Sequence, residues 1–338
     1  MSVSAFPKRQ RGVALLVALL VVALAVILIA ALLDRGELAF ARTRNALRSE
    51  QADAYAQGLE IYAAQVLSKV QTEQQGPDTN QSPWAQPLPP QPVPGGVISA
   101  KMRDLNGCFN LNNLSLRGSD GSNWTAVFQR LLTNLGIGDP NIVGAVQSWL
   151  GIPAQSGEVS VNYYLAQPVP YRPRNGLFSH VSELRLVAGI TEDVYAKLAP
   201  YVCVLPAGTR INVNTAAPPI LQSVAAGITS AQALVAWNNG QANYSDVSGV
   251  ISALKMSQQQ AAQLPPTMFN VVSTYFLARG DIVLDDVPFT FYSLIERAPL
   301  NGARPSGIRV LARSRGSDDT LTVAAPIAPS SKDDAVLD

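Results

Sequence analysis

Asp281, Asp285 and Asp286 put three carboxylates into one short stretch. Oxygen ligands beside a turn are the chemistry of a calcium site, and paired acids are the minimum for general acid–base work. The plainer alternative is solvated charge at a turn. His180 is the only histidine and directly follows Ser179. One histidine and two cysteines, Cys108 and Cys203, argue against a zinc cluster or a histidine-based triad. Neither G-x-S-x-G nor H-E-x-x-H occurs. Lysine and arginine number 25 against 24 acids, a net charge of +1, so no general field draws nucleic acid or acidic substrates. The residue types therefore support no enzyme directly.

These residues hang from a helix that begins in an unbroken apolar run, Val13–Leu33. About 20 apolar residues cross a ~30 Å hydrocarbon core. Lys8, Arg9 and Arg11 precede the run and Asp34 follows it, which places the N-terminus in the cytoplasm. Beyond such a single span the compartment is oxidising, so Cys108 and Cys203 are expected to pair, with two buried free thiols as the alternative. A secretory signal carries its small-residue site after the apolar core. Here Gly12 stands before it.

That order, QRG followed by VALLVALL, resembles a prepilin leader. The resemblance implies cleavage by a prepilin peptidase between Gly12 and Val13, and N-methylation of Val13. Most pilins and pseudopilins carry Glu at the fifth mature position; here it is Val17. A carboxylate in hydrocarbon needs a partner, and a subunit with nothing ahead of it in a filament would not need that Glu. The departure narrows the resemblance to the K-type minor pseudopilins of type II secretion systems. Four phrases carry it: QRGVALL, DLNGCFNLNN from Asp104, PYRPRN with SELRLVAGIT from Pro170, and RINVNTA from Arg210. One motif departs: where the family has an acidic stretch after the tryptophan, this chain reads Trp149-Leu-Gly-Ile-Pro153.

In order, residues 1–12 are read as leader, 13–33 as membrane span and 34–72 as the periplasmic continuation of one helix. Residues 73–96 read as a Pro/Gln-rich linker in which Trp84 pins the chain to the body, because proline disfavours regular ladders. Residues 97–114 read as the first part of a sheet, with Asn112 and Asn113 at turns. Residues 115–205 form a first helical unit, with Asp139, Ser182 and Thr191 as expected helix caps. Residues 206–265 form a second, in which Ala-Gly-Ile-Thr recurs at 226–229 after 188–191 and Thr229 has capping-box spacing to Gln232. Residues 266–328 read as β, with strands including Thr320–Val323, and 329–338 as a loose tail.

Helix–hairpin–helix units can bind phosphate through Gly-h-Gly amides aided by lysine or arginine. Gly227-Ile-Thr229 has lost its second glycine, and the helix after it carries no basic residue to Trp237. A packed helical module is the better reading. The resemblance implies an α+β, pilin-like fold: a long N-terminal helix on an antiparallel sheet, with a large inserted helical domain of SAM-like repeats. It implies a non-enzymatic subunit at the tip of a pseudopilus. Its partners would be the I- and J-type minor pseudopilins, other pseudopilins and the inner-membrane assembly platform. A minor pilin of a type IV pilus and a membrane-anchored periplasmic enzyme are the alternatives. Calcium is the one cofactor the acids at 281–286 suggest.

Overall fold

The computed structural model describes residues 11–74, 76–153, 158–262, 264–265, 267–298 and 307–316. The leader before Arg11, the strand expected at Thr320–Val323 and the tail 329–338 lie outside them.

Helix α1 runs from Arg11 to Lys69 and ends in a π-helical turn, Val70–Gln74. No proline interrupts it. Contacts divide the chain within α1, into units Met1–Tyr55 and Ala56–Asp338. In the first unit the described residues are this helix alone, and every side chain from Val13 to Phe40 is exposed.

The second unit is built on a five-stranded antiparallel sheet. Strands β1 (Leu88–Val93) and β2 (Gly96–Asp104) open it. Short β3 (Phe109–Asn110) leads into helices α2 (Gly118–Asn134), α3 (Ile142–Trp149), α4 (Val161–Leu165) and α5 (Glu192–Leu198). After β4 (Val202–Cys203) and β5 (Ile211–Asn212) come α6 (Pro218–Ser223), α7 (Ser230–Trp237), α8 (Val247–Ala253) and α9 (Gln258–Ala262). Strands β6 (Phe269–Asn270), β7 (Tyr275–Leu284), β8 (Val287–Ala298) and β9 (Gly307–Arg315) complete it. The sheet order is β1-β2-β7-β8-β9. Neighbours β2 and β7 thus flank the whole helical body, which is inserted between them in sequence. Parallel pairs β3–β4 and β5–β6 belong to the body's neck.

The strand β1 corrects the linker reading of 73–96. Its sequence, LPPQPV, carries three prolines, yet it pairs with β2, with a register shift between Leu88 and Gln91. Proline lacks the N–H a central strand must donate, but an edge strand needs only one satisfied side. Trp84, just before it, is buried with Leu67, Val70, Phe276 and Ile295. There the sheet meets the end of α1. At Gly280 of β7 an added Cβ would stand 2.8 Å from Leu59 Cδ1, so glycine lets helix and sheet approach.

The body has its own core. The α2 stripe Trp124, Val127, Phe128, Leu131 and Leu132 is buried, at the spacing of one helical face. Phe109 stacks on Phe128 with centroids 5.1 Å apart, and Trp149 meets Tyr164 and Phe178. The repeated Ala-Gly-Ile-Thr phrases are turns into helices: Gly189 and Gly227 take φ of +79° and +80°. Thr191 accepts from Val194 N–H, and Thr229 and Gln232 form a reciprocal capping box.

Two expected caps are corrected. His180, not Ser182, caps the 3₁₀ turn Val181–Leu186: its Nδ1 accepts from Ser182 N–H, while Glu183 Oε1 accepts from Ser179 and His180 N–H. The imidazole offers a ring nitrogen as acceptor where serine would offer an oxygen. Asp139 lies too early to cap α3, and its Oδ1 instead accepts from Asn141 N–H.

Candidate functional site: an apolar helix and a buried polar neck

The first candidate surface follows from composition. One helix among the described residues is long and apolar enough to cross a membrane, Val13–Glu73, with a mean hydropathy of 3.4 in its most apolar window. Val13 and Val17 are 64% and 55% exposed, and no charged residue stands between Val13 and Leu33. The backbone of Gly12 continues this helix. The carboxylate that would need a partner in hydrocarbon is absent, so the apolar surface is continuous.

The second feature is the neck where the chain leaves β2 for the body and returns to β7. Cys108 and Cys203 form a disulfide there, with Cα atoms 5.9 Å apart. Around it the asparagines of DLNGCFNLNN reach across the fold. Asn110 Nδ2 donates to Pro206 O and its Oδ1 accepts from Leu205 N–H. Asn112 Nδ2 donates to Phe178 O and Leu205 O, and its Oδ1 accepts from Phe178 N–H. Asn113 does the same toward Thr209 and Gly208. The sequence suggested turn bonds for Asn112 and Asn113; the long-range bonds were not visible in it.

Beside the disulfide lies a cluster of buried charge. Asp78, Asp104 and Arg297 are 1%, 7% and 4% exposed. The Arg297 guanidinium pairs with Asp78 Oδ2, donates to Ser273 O at 2.7 Å and lies over the Phe276 ring. Asp78 also accepts from Trp84 Nε1 at 3.0 Å and Ser273 N–H at 2.7 Å. Asp104 Oδ2 accepts from Asn212 Nδ2, Ser273 Oγ and Thr215 Oγ1, and its Oδ1 from Asn106 N–H. Burial pushes the Asp104 carboxyl up to about 6; hydrogen bonds from Ser273, Thr215 and Asn106 oppose that, and the charge of Asp78 adds to it. Five chain segments meet at this cluster, so it sets how the body joins the sheet.

On the α1 face of the sheet, Glu60 accepts from Ser293 Oγ and from Arg313, whose Nε lies 2.7 Å from Oε1. Burial raises the Glu60 carboxyl, but the bonds from Arg313 and Ser293 and the arginine's charge outweigh it, holding the group below its usual range.

The three acids read as a calcium candidate do not come together. Asp281 lies mid-strand on β7, its Oδ1 held by Arg279 at 2.8 Å and by Thr290 Oγ1 at 3.0 Å. Asp285 and Asp286 form the two-residue β7–β8 turn, at φ of 44° and 65°. Such a turn requires positive φ at both positions, which aspartate tolerates. Among the described residues no group of three or more His, Cys, Asp or Glu side chains is placed to hold a metal.

A family profile described as type II secretion system protein K matches residues 107–207. The type II secretion system protein K of Pectobacterium carotovorum is 38% identical over 221 residues, 61% of this chain and 67% of the relative. That of Klebsiella pneumoniae is 31% identical over 305 residues, 86% of this chain and 93% of the relative. Among solved structures, a chain of the GspK-GspI-GspJ complex of the enterotoxigenic Escherichia coli type 2 secretion system matches with a TM-score of 0.68 and 27% identity. The match covers 82% of this chain and 99% of that one.

Proposed function

The chain belongs to the type II secretion system protein K family, whose members are minor pseudopilins, and on that premise we propose that it stands at the tip of the pseudopilus. There it associates with the I- and J-type minor pseudopilins and starts or caps the filament that supports export. The observation that carries this reading is the likeness to a chain of the GspK-GspI-GspJ complex over nearly all of that chain.

The sequence and fold support the detail. The apolar helix anchors the protein in the inner membrane by a single span, and the basic flank favours a cytoplasmic N-terminus with the globular unit in the periplasm. Prepilin peptidase would cut after Gly12 and leave N-methylated Val13. Val17 in place of glutamate agrees with a subunit that docks on nothing ahead of it. The inserted body is a bulk no ordinary filament subunit could stack above. Its helix pairs, turned at Gly189 and Gly227, support SAM-like units. The role is structural, not enzymatic.

The test is co-expression of the full chain with the I- and J-type subunits of its own system, in detergent, sized by light scattering. A one-to-one-to-one complex is expected. Three separate monomers at micromolar concentration would overturn the tip assignment.

A further inference from the structure

The two edges of the sheet are not alike. At β1, Pro89, Pro90 and Pro92 remove backbone donors, a common way to blunt an edge. At the other edge, β9 runs nine residues without proline, paired through Gly307–Arg315 to β8. Among the described residues no strand lies on its outer side. A cavity of about 290 Å³ runs beside it, lined by Ala312 and Ser314 of β9, Leu277 and Leu294 of the sheet, and Val181 and Val204 of the body. Arg103 also lines it, and no carboxylate does.

Charge narrows the occupant. Three arginines, 309, 313 and 315, lie on β9. Arg309 and Arg313 are engaged by Glu296 and Glu60, yet their side chains stay 54% and 64% exposed. A guanidinium has five N–H donors in a fixed fork, more than those contacts use. A second copy adding antiparallel to β9 would bring the same three arginines to the edge again, and in registers such as Arg309 opposite Arg315 would set like charges face to face, which destabilises a strand pair. An acidic strand would be matched by them.

We propose that β9 takes an extended, acidic segment of a partner minor pseudopilin as a sixth strand, with one apolar side chain of that segment filling the adjoining cavity. Strand addition of this kind draws affinity from main-chain bonds and selectivity from the pocket beside them. The proposal rests on the family's partner reading above.

The test is amide hydrogen exchange, read by mass spectrometry, on the full chain alone and with the I- and J-type subunits, complex formation being checked first by light scattering. Peptides covering β9 should exchange at least about tenfold more slowly in the complex. Changing Arg315 to Glu should weaken the complex about tenfold, while Arg315→Lys should not. A complex that forms with unchanged β9 exchange overturns this proposal and leaves the tip assignment standing. Protection already present in the isolated chain, and lost in a chain ending at Gly316, would assign the edge to the protein's own C-terminal residues instead. Failure of any complex to form removes the partner reading and this proposal with it.

Discussion

Replacing Arg297 with methionine isolates what the neck charge cluster contributes. Methionine keeps much of the side chain's length and can still lie against Phe276, but it removes the cation paired with Asp78. Asp78 then keeps two neutral donors, Trp84 Nε1 and Ser273 N–H, and is 1% exposed. Breaking one side of a buried ion pair costs about 3–5 kcal/mol. The two surviving hydrogen bonds put this case near the lower end, about 3 kcal/mol. The double change Asp78→Asn with Arg297→Met should cost less than the single one, because no uncompensated charge remains buried. Urea unfolding of the full chain in detergent measures both, and Trp84, bonded to Asp78, supplies a local fluorescence signal. A loss under about 1 kcal/mol for Arg297→Met, or a double variant less stable than the single, would refute the assignment of this pair as the buried charge balance of the neck.

Three further outcomes follow from the same geometry. The folded state holds the Asp104 proton with a value raised from 3.8 to about 6. Its stabilising contribution is therefore complete below about pH 4 and lost as pH rises through about 6. That loss is about 3 kcal/mol relative to an Asp104→Asn variant, read as the pH dependence of the difference in unfolding midpoints. Replacing Cys108 and Cys203 by serine opens a loop of sequence separation 95 and should cost up to about 4–5 kcal/mol, seen also as a lower midpoint of the native protein under reductant. Gly280→Val should cost about 1–3 kcal/mol by crowding Leu59, measured by thermal unfolding, with Gly280→Ala closer to neutral because the contact is a flexible side-chain end.

What the sequence shows best is what is local. The uninterrupted helix, the α2 stripe and the Thr191 and Thr229 caps each depend on neighbours within about one turn, and their spacing reveals them. Trp84 stood out as a large apolar residue in polar surroundings. The β1 strand was hidden because proline argues against a ladder in general, and only the partner on one side makes it tolerable. His180 was hidden because imidazole rarely caps, although Glu183 three residues later carries the capping-box spacing. The long-range bonds of Asn110, Asn112 and Asn113 depend on partners more than sixty residues away, which no local pattern encodes. The acids at 281, 285 and 286 were misleading for the opposite reason. Proximity in sequence became distance in space, since a strand advances about 3.3 Å per residue and fixes Asp281 well short of the turn.

The insertion of the body between paired strands also governs the order in which the molecule can be made. The β7–β8 hairpin closes on a two-residue turn and can form at once. Pairing of β2 with β7 sets Asp104 opposite Phe276, beside the Asp104–Ser273 side-chain bond that spans 169 positions. Closing so long an open loop is slow, and a body that has already compacted around its own core brings the two ends together beforehand. Joining β2 to β7 is therefore expected to follow compaction of the body, while β7 and β8 close on their own turn. A chain whose body has failed to fold would keep the β7–β8 face that meets Leu59 and Glu60 but lack β2 beside it. Completion of the sheet beside α1 thus depends on an insert that contributes no strand to that sheet.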